Sequence, residues 1–121
     1  MALTVNSLGV SLNFGKYNGL NIIEAIEQSP IYNTGGLKDV NGVIQWKGFR
    51  ISNKGNFISY LEWAQEKDIL LVTPKAWKEI KEYDKLFCIT EGYKNEDKLV
   101  EEKIFLQSKK ELKKIRDKYN Y

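Results

Sequence analysis

Histidine is absent from this sequence, and cysteine occurs once, at Cys88. Without histidine, zinc, haem and copper sites lose their commonest protein ligand, and serine or cysteine triads lose their usual base. A lone cysteine excludes an internal disulfide. Set in Leu86, Phe87, Ile89 and Thr90, it reads as a small apolar residue inside a strand, because a reactive thiol wants a cationic, exposed setting. Proline is confined to Pro30 and Pro74, and arginine to Arg50 and Arg116, against an abundance of lysine, isoleucine, asparagine and tyrosine. That bias follows from AT-rich codons and points to a low-GC bacterium or one of its viruses as the source. No apolar run approaches the roughly 20 residues of a membrane-spanning helix, and no basic stretch followed by an apolar one opens the chain. A cytoplasmic protein is therefore expected, in the host cytoplasm if viral, with no membrane partner.

What is present is an ordinary globular composition. The chain has 121 residues, with 42% hydrophobic and 29% charged side chains, which fits one domain spanning 1–121 with one core. All three tryptophans fall between Val43 and Ile80. Ile44 and Trp46 share one parity and Phe49 and Ile51 the other, which predicts a strand bent at Gly48. Ser52, Asn53, Lys54 and Gly55 form a turn. Phe57, Ser59, Leu61 and Trp63 then alternate with Ile58, Tyr60 and Glu62, predicting a return strand and a hairpin with two apolar faces. Such a hairpin favours a homodimer if only one face is covered. Downstream, 68–72 reads as a buried strand running into a helix that starts at Pro74, with Thr73 as its N-cap and Val72 stapled to Trp77. Its inward stripe is Trp77, Ile80 and Tyr83.

The flanks follow the same logic. Leu8, Val10, Leu12 and Phe14 alternate within 3–14, predicting one or two strands. Asn21 and Glu24 form a capping box for a helix over 22–28 that Ser29 and Pro30 end. Residues 31–42 have loop chemistry, with a Gly35–Gly36 pair but no phosphate-loop motif. Strands are predicted at 85–90 and 103–107, followed by a last helix capped by Ser108 with Glu111 three residues on. Placing 69–81 over 104–116 aligns Ile69 with Ile104, Leu71 with Leu106, Lys75 with Lys110, Lys78 with Lys113 and Ile80 with Ile115, which reads either as two strand, cap and helix units 35 positions apart or, slightly favoured, as the grammar any strand running into a capped amphipathic helix converges on. The expected fold class is α+β: an antiparallel or mixed sheet of about five to seven strands with a short N-terminal helix, a central helix and a basic C-terminal helix. Residues 48–61, GFRISNKGNFISYL, resemble the glycine-turn hairpin of small single-strand-binding, SpoVG-like sheets, over those residues alone.

Charge and aromatics supply the candidate binding residues. Between Gln107 and Tyr121 lie six cations (Lys109, Lys110, Lys113, Lys114, Arg116, Lys118) and two anions (Glu111, Asp117), while the whole chain carries only +3. The basic character is thus concentrated in the last helix. Lys109 and Lys110 at its start, and Lys75 at the start of the earlier one, oppose the helix dipole, which makes sense where a phosphate or an acidic partner docks. In the hairpin, Trp46, Lys47, Arg50, Lys54 and Tyr60 interleave aromatics with cations, as surfaces that stack bases do. One acid-and-lysine pattern, Glu101 to Lys103 with Asp84 or Asp97 upstream, has the composition of a metal-dependent nuclease site, but the pattern is commonplace in a chain this rich in both residues.

With no catalytic constellation and no cofactor motif, a non-enzymatic role is expected. The leading expectation is a small accessory protein of a phage or mobile element that binds and inhibits a host macromolecule, most simply a host protein such as a defence or nucleic-acid enzyme. The alternative is a single-stranded DNA- or RNA-binding protein using the hairpin aromatics and C-terminal lysines. A third is a binder of a phosphate-bearing small molecule, at the helix starts of Lys75 and Lys109 and the loop over 32–36.

Overall fold

Helical periodicity governs far more of the chain than its strand-like alternations suggest. The computed structural model describes residues 2–29, 36–40, 43–47, 57–92 and 102–119. Among these, four α-helices dominate: α1 (Ile22–Gln28), α2 (Phe57–Glu66), α3 (Pro74–Gly92) and α4 (Glu102–Lys118). The strands are short and form two separate two-stranded sheets. β1 (Leu3–Val5) pairs in parallel with β4 (Leu70–Val72), and β2 (Gly36–Val40) pairs antiparallel with β3 (Val43–Lys47). The expected α+β sheet of five to seven strands is therefore replaced by a mostly helical fold.

Local signals explain where the helices begin and end. Asn21 Oδ1 accepts from Glu24 N–H at 2.8 Å and Glu24 Oε1 accepts from Asn21 N–H at 3.1 Å, the reciprocal box expected for α1. Thr73 Oγ1 accepts from Ala76 N–H at 3.1 Å and caps α3, whose first residue is Pro74 as predicted. Helix α2 ends in a Schellman turn. Ile69 N–H reaches back to the Ala64 carbonyl and Asp68 N–H to the Gln65 carbonyl, with Asp68 at φ 59° where glycine is usual. That turn delivers the chain into β4, where Leu3, Thr4 and Val5 pair with Leu70, Leu71 and Val72.

Three predicted strands are helix instead. Residues 57–63, expected to return the hairpin, open α2: Phe57, Leu61 and Ala64 are buried at helical spacing, and this burial outweighs the strand propensity of their aromatic and branched neighbours. The hairpin resemblance of 48–61 fails with them. Residues 85–90 continue α3 without a break, because Ala76, Ile80, Tyr83, Phe87 and Thr90 make one buried stripe at alternating spacings of four and three. Residues 103–107 begin α4, so Ser108 is an interior residue and not its cap. The strand, cap and helix unit stands at 70–92, and 104–116, helical throughout, does not repeat it.

Elsewhere the 3–14 alternation yields strand only at Leu3–Val5. Leu8 and Leu12 are buried in the irregular segment that follows. Part of the expected 31–42 loop is strand β2, paired with Val43–Lys47, the first part of the predicted bent strand, while its bend at Gly48, its second half and the turn at 52–55 lie outside the described residues. Cys88 is buried as expected, but in a helix.

The apolar core joins these elements. Val5, Leu8, Leu12 and Tyr17 from the N-terminal segment meet Ile22, Ile23 and Ile26 of α1, Phe57 and Leu61 of α2, Ile80 and Tyr83 of α3 and Leu112 of α4. Helices α3 and α4 are extensively packed on each other.

Candidate functional site

Helix α4 packs one side on the core and exposes the other, on which Leu106 is also exposed. Leu112 is buried, and Ile115 and Tyr119 pack partly buried against the core, one helical turn apart. The opposite side holds Lys109, Lys110, Lys113, Lys114 and Lys118, all exposed, with Asp117 the one exposed acid among them. Glu111 is half-buried and its carboxylate accepts from the Gln107 amide at 3.0 Å. Among the described residues none of these five lysines forms an ion pair. Lys118 and Arg116 occupy the last turn, where cations complement the helix dipole. Lys109, Lys110 and Lys113 lie in the helix interior, where the dipole gives them no such reason.

Arg116, grouped with the lysines by sequence, serves a different end. Its guanidinium turns inward and contacts Glu27 of α1 through Nη2 at 2.8 Å and Nε at 3.0 Å, with the Tyr83 hydroxyl of α3 3.1 Å from Nε. The Tyr83 hydroxyl also donates to Glu27 Oε2. One carboxylate therefore gathers two donors and ties three helices. Burial, then the Glu27 carboxylate, raises the Tyr83 pKa well above its ordinary value, so the phenol stays protonated. A second α3–α4 link runs from the Tyr119 hydroxyl to Glu79 Oε2 at 2.6 Å, and burial with that bond pushes the Tyr119 pKa up to about 12.

The other expected binding residues scatter. Trp46 and Lys47 lie in β3, while Arg50 and Lys54 lie outside the described residues. Tyr60 stands on α2 and not on a sheet, between Phe14 and Trp63 with centroids 5.9 Å away on each side, and edge-on to Tyr17 at 5.0 Å. Lys16 lies over both tyrosines. Lys75 is exposed in the first turn of α3, as predicted. Lys109 and Lys110, by contrast, fall two turns inside α4 because the helix starts at Glu102. The proposed helix-start pair for a phosphate-bearing small molecule is thereby lost, and Gly36 of its loop belongs to β2. The strand expected to present the acid-and-lysine pattern is likewise helix from Glu102 onward.

Two grooves were not foreseen in the sequence. One, of about 780 Å³ between α2 and α3, is lined by Gln65, Trp77, Lys78 and Lys81, with Glu62 and Glu66 on its α2 side. Gln65 Oε1 there accepts from Val72 N–H and from the Trp77 indole, so it fastens α2 to the β4–α3 junction. The other, of about 470 Å³, runs between the end of α3 and α4, and its walls include Phe105, Lys109, Leu112 and Lys113. Their spacing of four, three and one residues makes a helical stripe, but only when α4 is known to begin before residue 105.

Asp84 and Cys88 face each other one turn apart on α3. Burial raises the Asp84 carboxyl to about 6, and burial followed by the Asp84 charge pushes the Cys88 thiol up, which keeps it protonated and unreactive. Among the described residues no group of three histidine, cysteine or acidic side chains is placed to hold a metal ion, and no helix is long and apolar enough to cross a membrane. No protein-family model, no curated protein and no solved structure matches the chain.

Proposed function

We propose that the protein is a non-catalytic nucleic-acid-binding protein that follows a phosphate backbone with the lysine face of α4. The observation that carries this reading is the row Lys109, Lys110, Lys113, Lys114 and Lys118: exposed, with Asp117 the one acid among them, and held on a helix whose other side is packed into the core. Lysines so placed neutralise phosphates and release condensed counterions, which gives affinity without demanding a base sequence. Presenting them on a packed helix means that little order must be created on binding. The reading keeps the C-terminal lysines of the sequence analysis and gives up the aromatic hairpin, because Tyr60 is packed among rings on α2. A stoichiometric partner protein with an acidic surface, as in the accessory-inhibitor expectation, would meet the same face, and direct titration with a nucleic acid distinguishes the two.

The test is fluorescence anisotropy of a labelled 12-nucleotide DNA strand titrated with the full chain at several salt concentrations. Four lysine–phosphate contacts on a single strand give a slope of log affinity against log salt of roughly −3. The variant carrying Lys109→Glu, Lys110→Glu and Lys113→Glu should lose most of the affinity and about two units of that slope. Absence of binding at low salt, or equal binding by the variant, would overturn the proposal.

A further inference from the structure

The groove between α3 and α4 adds an apolar floor to the cationic row. Phe105, Lys109 and Lys113 follow one another at intervals of four along α4, and Leu112 is buried beside them. Phe105 is half-buried. Across the groove, at the end of α3, Thr90 is buried, and its hydroxyl donates to the Leu86 and Phe87 carbonyls of its own helix. Glu91, half-buried beside it, brings a carboxylate to the same wall. Arg116 and Asp117 close the far end, where the guanidinium is already engaged by Glu27. Of the cations lining the groove, Lys109 and Lys113 form no ion pair among the described residues; with Glu91 and Asp117 they border an aromatic and aliphatic wall, in a space of about 470 Å³.

An aromatic face next to two lysines, at the margin of a longer lysine row, suits a planar ring tethered to a phosphate. Single strands offer this unit repeatedly and duplexes do not, because their bases are stacked and paired and must be extruded at a cost. We infer that the α3–α4 groove receives one unstacked base of a single-stranded nucleic acid, stacked on Phe105 with its flanking phosphates on Lys109 and Lys113. This rests on the reading of α4 as a nucleic-acid-binding face and sharpens it: the protein should prefer single strands, and the preference should reside in one ring.

Three measurements on the full chain separate the two claims. The first compares a 12-nucleotide single strand with its duplex. The second repeats the comparison with Phe105→Leu, which keeps apolar volume in the groove and removes the aromatic face. The third uses a single strand whose central bases are replaced by abasic sites. The expected results are tighter binding of the single strand than of the duplex, a loss of roughly fivefold or more in single-strand affinity with Phe105→Leu, and a similar loss on the abasic strand. Duplex affinity and the salt slope should change little with Phe105→Leu, since the phosphate contacts remain. If Phe105→Leu or base removal leaves single-strand affinity unaltered while the lysine reversals still abolish it, the groove inference is overturned and backbone binding stands. If the lysine reversals also have no effect, the nucleic-acid reading fails with it.

Discussion

Glu27 is the residue on which three helices converge. Its carboxylate accepts from the Tyr83 hydroxyl and from two nitrogens of Arg116, and it retains much less solvent access than a surface acid, so its partners cannot be replaced by water without cost. Arg116→Met should destabilise the fold by about 1–3 kcal/mol in urea unfolding, because it strips the carboxylate of its cation. Tyr83→Phe, which removes one donor and leaves the guanidinium, should cost about 1 kcal/mol. Asp84 works in the opposite sense. Its folded-state pKa of about 6 exceeds the ordinary 3.8 through burial alone, so the folded protein holds a proton that the unfolded chain releases. Stability should therefore fall as pH rises from about 4 to about 6 and level off above that. Asp84→Asn should flatten this window, raising stability by about 1 kcal/mol at neutral pH and leaving it unchanged near pH 4; thermal melts across pH check both ends. None of these pairings was legible in the sequence, since Glu27 and Arg116 are 89 positions apart.

At the scale of elements, ends were easier to read than spans. The α1 capping box and the Thr73–Pro74 start of α3 are local chemistry: a side-chain oxygen finds an N–H three residues on, and a proline occupies a site that needs no N–H. Thr73→Ala should accordingly cost about 1 kcal/mol in chemical denaturation. The Schellman turn after α2 is equally local but was missed, because Asp68 stands where the usual signal is glycine. Relieving its left-handed conformation with Asp68→Gly should raise stability by up to about 1 kcal/mol, visible as a higher denaturation midpoint with an unchanged slope. Spans failed where both periodicities were present. Phe57 to Trp63 alternates every second residue and also repeats every three to four. Lys85 to Thr90 is rich in strand formers yet extends the stripe begun at Ala76. Only the surface that a segment packs against decides between the two patterns, and for α2 that surface includes Tyr17, which is 40 residues upstream of Phe57.

At the scale of the molecule, the described residues separate a packed core from a cationic helix face. Because Lys109, Lys110 and Lys113 are exposed and form no ion pair among the described residues, reversing all three should leave the melting temperature nearly unchanged while removing nucleic-acid affinity. A fall in both together would mean that the lysines serve the fold. The concentration of positive charge in the last helix was visible from residue counts alone, since charge needs no neighbours to be counted. Which cations remain available was not visible, because Arg116 is drawn inward by Glu27 and Tyr83.

By itself the sequence determined the helix starts at Asn21 and Thr73, the burial of Cys88 and the basic outer side of the C-terminal helix. These depend on side chains within one turn of each other or on composition. Tertiary structure alone decided that α3 runs on to Gly92, that α4 begins before the expected Ser108 cap, and that a groove floored by Phe105 opens between them. Those outcomes follow from burying two long apolar stripes against each other, a gain made only when both helices are present.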